Sequence, residues 1–93
     1  MKIKFDDNFL YLVNDQVRYI ARDKPFAAKK FKVDLIQYIK KDLQFPYNFK
    51  KSIYFEDESI RDYVFKGYTI VYKIHNEEEI VEIFEFIKHM ESL

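Results

Sequence analysis

The chain has no cysteine, no tryptophan, two prolines and a single glycine in 93 residues. Without cysteine there is no disulfide, no thiolate nucleophile and no thiolate-held metal, a usage that fits a reducing cytoplasm. One glycine cannot build the glycine-rich loop that cradles nucleotide phosphates, which excludes a P-loop role. No apolar run approaches the roughly 20 residues needed to span a bilayer, so no membrane partner is expected. Met1–Phe5 carries charge without a following apolar stretch or small-residue cleavage site, and does not read as a signal peptide. No Gly- or Pro-rich linker and no internal repeat interrupts the sequence, so residues 1–93 read as one domain. The two histidines, His75 and His89, lack the spacing of a ligand pair. No metal, cofactor or small-molecule substrate is expected.

What the chain does have is aromatic mass and unevenly placed charge. Ten Phe and eight Tyr are more than a domain this small can bury completely, and exposed aromatics favour protein partners. The formal charge is zero, yet residues 17–51 carry ten Lys/Arg against Asp23, Asp34 and Asp42, a balance of +7. Residues 76–93 carry six Glu against Lys88, a balance of −5. A basic middle of this kind is either a solvated helix face or an attractor for an acidic partner or a phosphate backbone. Overall neutrality argues against a dedicated nucleic-acid binder.

The hydrophobic pattern predicts the order β-α-α-β-β-β. Lys2–Phe5 alternates as a short strand, and Asp6 or Asp7 is placed to cap the helix that follows. Leu10, Val13, Val17 and Ile20 recur at helical spacing from Phe9 to Arg22. Asp23-Lys24-Pro25 is a break, since proline is tolerated in a helix's first turn. A second helix runs from Pro25 to Leu43 with Ala28, Phe31, Leu35, Ile39 and Leu43 on one stripe. The two helices form an antiparallel hairpin, ended by Phe45-Pro46. Ser52–Phe55 reads as an edge strand or an ordered loop. Ile60–Phe65 and Tyr68–His75 are β-branched and aromatic, and they meet at a hairpin turn on Lys66-Gly67. Tyr68, Ile70, Tyr72 and Ile74 share one face of the second strand, and Thr69, Val71, Lys73 and His75 the other. Glu79–Met90 fits both periods: Ile80, Ile83, Phe84, Ile87 and Met90 suit a helix, with Asn76 and Glu79 as a capping box, while the Ile, Val and Phe content suits a strand. A helical hairpin on one face of an antiparallel sheet gives a two-layer α+β domain.

Arg61 near the start of one strand, the Gly67-Tyr68 turn, the run Tyr68-x-Ile70-Val71-Tyr72-x-Ile74, a closing hydrophobic strand and the helical Ala27-Ala28-x-x-Phe31 segment together resemble the RelE/ParE superfamily of bacterial toxins. The resemblance covers nearly the whole chain, selects strand for Glu79–Met90, and implies the toxin half of a toxin–antitoxin pair, bound and silenced by a cognate antitoxin. It also implies one of two activities. RelE-like members cut mRNA on the ribosome, and ParE-like members poison DNA gyrase. A RelE-like nuclease would take Arg61 as the cation at the scissile phosphate, His89 as the proton-transfer group, and Lys50 and Lys51 as phosphate contacts. The position after Gly67-Tyr68 is Thr69, where RelE-like nucleases carry a second arginine. Losing one preorganised charge-stabilising donor costs about 3–4 kcal/mol of transition-state stabilisation. The neutral net charge and Thr69 favour the ParE-like side, a toxin that works by binding a protein target. A RelE-like interferase is the first alternative, and a member that only binds its antitoxin is the second. Beside these roles, Arg61 has an ordinary ion pair open to it with Glu58 or Asp62, and His75 reads as a solvated strand end.

Overall fold

The computed structural model describes residues 1–89, so Met90, at the end of the last expected strand, lies outside the described residues. The elements are β1 (Lys2–Phe5), α1 (Asp7–Ala21), α2 (Pro25–Asp42), a short 3₁₀ turn (Pro46–Asn48), β2 (Ile60–Phe65), β3 (Tyr68–His75) and β4 (Ile80–Lys88). The helical hairpin lies on one face of a four-stranded sheet ordered β1-β4-β3-β2. Strands β2, β3 and β4 are antiparallel neighbours, as expected, but β1 joins β4 in parallel, so the sheet is mixed. A parallel pair needs a long crossover, and everything between β1 and β4 serves as one.

The expected stripe of α2 is buried at every position: Ala28, Phe31, Leu35, Ile39 and, just past the helix, Leu43. In α1 the buried centre is Phe9 and Val13, while Leu10, Val17 and Ile20 are only half-buried against the core. Phe9, the expected first residue of the helix, is fully buried in the core. The helix begins two residues earlier, at Asp7, which turns Phe9 inward against Phe5 and Phe86. Asp6 stands at the N-cap position with extended backbone, but its side chain makes no capping hydrogen bond. Its carboxyl is engaged by Glu82 on β4 instead.

The β2–β3 turn takes Lys66 and Gly67 into the left-handed region, at φ 48° and 82°. Two consecutive positive φ values are the mark of a two-residue I′ turn, whose twist matches the strands it joins. Phe65 therefore pairs with Tyr68, and the register runs through Val64–Thr69, Asp62–Val71 and Arg61–Tyr72.

The double character of the last segment has a physical source. Val71 pairs with Glu85 but Tyr72 pairs with Ile83, so Phe84 is an extra, bulged residue. Val81 and Ile83 face the helices, the slip at Phe84 shifts the alternation by one, and Phe86 faces the helices again. A two-residue period broken once gives spacings of three and four, which imitate a helix. The bulge is fixed from α1, where the Asn8 side-chain Nδ2 donates to the Phe84 carbonyl at 3.1 Å. Beyond it, the Tyr68 and Phe86 rings stack at 4.9 Å while Phe31 tilts onto Tyr68 at 5.1 Å. Such pairs add about 0.5–1.5 kcal/mol each beyond area burial.

Candidate functional site

On the sheet face opposite the helices, beside the outer edge of β2, lies a cleft of about 540 Å³. Asp62 and Val64 of β2, Thr69 of β3 and His89 after β4 form its floor. Phe49, Lys50, Lys51, Ile53 and Tyr54, from the segment that follows the 3₁₀ turn, form its wall. The alternation of the strands dictates this floor: Thr69 pairs with Val64 and Val71 with Asp62, on the face that Tyr68, Ile70 and Tyr72 do not share. The wall is an ordered loop tied to β2 by one bridge. The Ser52 amide donates to the Ile60 carbonyl at 2.8 Å, and the Asp62 amide donates to the Lys50 carbonyl at 3.1 Å. Ser52–Phe55 is thus a loop, with strand-like pairing limited to Lys51 and Arg61.

Three of the four residues proposed for phosphate chemistry meet in this cleft. Lys50, Lys51 and His89 line it together with Thr69. His89 Nε2 lies 2.5 Å from the buried Thr69 Oγ1, and the His89 amide donates to the Gly67 carbonyl at 3.2 Å. Arg61 is turned away. It pairs across the ladder with the fully buried Tyr72, so its side chain leaves the helix-covered face of the sheet. Its Nη1 donates to the Phe49 carbonyl at 2.8 Å and its Nε to the Glu58 carbonyl at 3.0 Å, with the guanidinium 5.2 Å from the Tyr47 ring centre. The surface partners open to it in the sequence were carboxylates; the partners found are backbone carbonyls. Arg61 fastens the segment from the 3₁₀ turn to the wall of the cleft.

Two buried tyrosines help to hold the same segment. The Tyr72 hydroxyl donates to the Pro46 carbonyl, and the Tyr63 hydroxyl donates to Asp42 at the end of α2, each at 2.5 Å. Burial pushes both phenols well above their ordinary pKa, with Asp42 adding to the rise at Tyr63. Both stay protonated as donors. The sequence pattern marked them as core aromatics but carried no sign of what their hydroxyls reach.

The cleft's apolar rim escaped the sequence reading. Ile53 is 82% exposed, Val64 65%, and Tyr54 stands beside them. Asp62 Oδ2 accepts from the Ile53 amide at 3.1 Å, while its buried Oδ1 has no hydrogen-bond partner among the described residues. The alternation of β2 was the available signal for Asp62 and Val64, since both fall out of phase with Tyr63 and Phe65. For Ile53 no periodic signal exists.

A second polar cluster lies at the other end of the same face. His75 Nε2 is 2.7 Å from Glu82 Oε1, and Glu78 stands 3.9 Å from His75 Nδ1. Partial burial and the neighbouring Glu82 push Asp6 up to about 6. Glu82 is held below its ordinary value by the Asp6 hydrogen bond and then by His75. His75 is half-buried and hydrogen-bonded, where the sequence suggested a solvated strand end. Among the described residues no group of three or more His, Cys, Asp or Glu is arranged to hold a metal ion, and no helix is long and apolar enough to cross a membrane.

Comparison with known proteins adds to this geometry. No curated protein matches the chain in sequence. Its backbone superimposes on a solved chain described as the chromosomal ParDE TA system from P. aeruginosa, with a TM-score of 0.79 and 12% identity over 97% of each chain. At that identity the likeness is one of fold. Residues 3–93 match the family described as the ParE toxin of the type II toxin-antitoxin system, parDE. With the helical hairpin, the four-stranded sheet and nearly the full sequence in agreement, the chain belongs to the ParE toxin family of type II toxin–antitoxin systems.

Proposed function

We propose that this protein is a growth-inhibiting toxin that acts in the cytoplasm by binding a protein target, DNA gyrase, and is silenced by a cognate antitoxin. Membership of the ParE family supports the toxin role. The choice of a binding mechanism rests above all on Arg61. Its guanidinium is committed to the Phe49 and Glu58 carbonyls on the helix-covered side, away from Thr69 and His89. Phosphate cleavage needs a cation and a proton-transfer group at one scissile phosphate, and these two residues do not meet. Growth of cells expressing the chain, with and without the neighbouring gene, tests the reading. Expression alone slows growth and coexpression restores it. Normal growth with verified soluble protein contradicts it.

The RelE-like alternative keeps one observation in its favour. Lys50, Lys51, Thr69 and His89 share a cleft with exposed apolar walls, where a nucleotide's phosphate and base would both find partners. In that reading the lysines replace Arg61 as the cations, and Lys50→Ala with Lys51→Ala abolishes ribosome-dependent mRNA cleavage.

A further inference from the structure

Asp6 joins β1 to α1, and its side chain serves only one of the two partners within its reach. Its backbone already holds the N-cap position, extended at φ −70° and ψ 151°, and its carbonyl accepts from the Leu10 amide at 3.1 Å. In that position a side-chain carboxylate accepts from the second or third amide of the helix, here Asn8 or Phe9. The Asp6 side chain makes no such bond, and neither amide has another hydrogen-bond partner among the described residues. Phe9 is fully buried, so solvent does not reach its N–H. A buried amide left in this way is rare and costly.

The Asp6 carboxyl is on Glu82 instead. Glu82 stands opposite Lys4 in the parallel β1–β4 ladder and opposite Lys73 in the β3–β4 ladder. His75 Nε2 lies 2.7 Å from its Oε1, and Glu78 is 3.9 Å from the other ring nitrogen of His75. Lys73 is drawn off to Asp57 at 3.6 Å. The charged groups bearing on Asp6 are thus Glu82, Lys4 and Asp7; those on Glu82 are Asp6, His75 and Lys4, with Glu78 behind the imidazole. Two carboxyl groups in contact repel when both ionise, so this pair is stable only while a proton lies between them. The Asp6 hydrogen bond and then His75 keep Glu82 as the charged member, which leaves the proton on Asp6.

We propose that Asp6 is a two-position proton switch: protonated, it donates to the Glu82 carboxylate and ties the end of β1 to β4; ionised, it swings to the vacant N-cap and accepts from the Phe9 amide. A change of side-chain rotamer is enough, because the backbone is already in cap geometry. Loss of the proton turns Asp6 from a donor into a like charge beside Glu82, which repels it. The free amides at the start of α1 carry partial positive charge and attract that same carboxylate. Both forces act in one direction. Burial and Glu82 raise Asp6 to about 6, which sets the pH range where the side chain changes partner. In acid the β1–β4 crossover is clasped through Glu82, and near neutral pH the first turn of α1 is closed instead. The switch belongs to the β1–α1 corner and does not depend on which target the toxin binds.

The test is an NMR titration of the full chain across acid and neutral pH, reading the Asp6 carboxyl carbon and the Phe9 amide proton. In wild type the two signals should titrate together with a midpoint near 6, the Phe9 proton moving downfield as the acid ionises. In Glu82→Gln the shared midpoint should fall by about one pH unit or more, because the repelling carboxylate is gone while the cap remains. In Asp6→Ser, whose hydroxyl caps at any pH, the Phe9 proton should stay downfield throughout; in Asp6→Ala it should stay upfield throughout. Asp6 and Glu82 are only half-buried, so the fold tolerates these changes. A Phe9 proton that stays still while Asp6 titrates overturns the inference. So does a wild-type Asp6 midpoint at its ordinary 3.8. A midpoint unchanged in Glu82→Gln removes Glu82 as the partner and overturns it too. A Phe9 step that survives in Asp6→Ala overturns it by assigning the step to His75.

Discussion

Arg61 and His89 sit on opposite faces of the sheet: Arg61 pairs with the buried Tyr72, whereas His89 bonds Thr69 on the cleft side. Adjacent ladder positions on β3 point to opposite faces, so an odd separation between Thr69 and Tyr72 is enough to part them. Arg61 is therefore a fastener. Arg61→Ala frees the Phe49 and Glu58 carbonyls and lowers stability by about 1.5–3 kcal/mol, the range for hydrogen bonds to a charged group. Urea unfolding checks this. Arg61→Lys recovers only part of the loss, because a lysine cannot span both carbonyls with a planar fork. A variant that unfolds like wild type would remove Arg61 from the structural role.

Leu35 is fully buried at the middle of α2, between the hairpin and the sheet. Leu35→Ala removes transfer energy and leaves a cavity, and should cost about 2–5 kcal/mol in thermal or urea unfolding. Tyr38, one turn away and exposed, is the control; Tyr38→Ala should change stability far less.

Gly67 is a conformational requirement and not a steric one. A Cβ built there meets no atom within 4 Å, but the backbone sits at φ 82°. Gly67→Val should cost more than the roughly 1–2 kcal/mol of a left-handed L-residue, because β-branching adds to the strain. Gly67→Asn should be milder, since Asn visits this region readily. Equal stability of the Val and Asn variants would show that the turn relaxes out of its left-handed form.

The Asp6–Glu82 pair gives stability a pH dependence of known sign. Asp6 ionises at about 6 in the fold against an ordinary 3.8. Between these values the folded chain holds the extra proton, so this contribution is present below pH 4 and is lost as pH rises through about 6. Glu82, shifted the other way, contributes above its ordinary 4.5 and loses that contribution as pH falls. Lys4, Asp7 and His75 are the other charged or titratable groups bearing on the pair. Asp6→Asn, which mimics the protonated acid, should be close to neutral below pH 4 and increasingly stabilising as pH rises to 8. The same effect at both ends of this range would contradict the pairing.

Element order and the α2 core were legible because each rests on a strong local signal. The Ala28-to-Leu43 stripe is regular, Pro25 and Pro46 punctuate it, and Gly67 marks the turn. Where the sequence misled, tertiary geometry had overridden the local rule. Asp6 occupies a capping position but is drawn to Glu82, a residue far along the chain. The parallel pairing of β1 with β4 leaves no periodic trace. The bulge at Phe84 hides a strand inside a helix-like spacing. At the cleft, alternation could have placed Asp62, Val64 and Thr69 on one face, but no pattern foretells that the loop through Ile53 and Tyr54 folds back over them. The resemblance assigns Arg61 a catalytic role from its strand position, whereas the register places its side chain on the helix-covered face.

The proposed mechanism, growth inhibition by binding gyrase and not by cutting RNA, is tested most directly with purified components. Purified protein should be added, in parallel reactions, to gyrase with supercoiled plasmid and to ribosomes programmed with mRNA. A gyrase-binding toxin gives linear plasmid from trapped cleavage complexes after protein digestion, leaves ribosome-bound mRNA intact, and keeps both results with Lys50→Ala and Lys51→Ala. Codon-positioned cuts in A-site mRNA that vanish in the lysine variant, with plasmid left supercoiled, would contradict it and assign the cleft to phosphate chemistry.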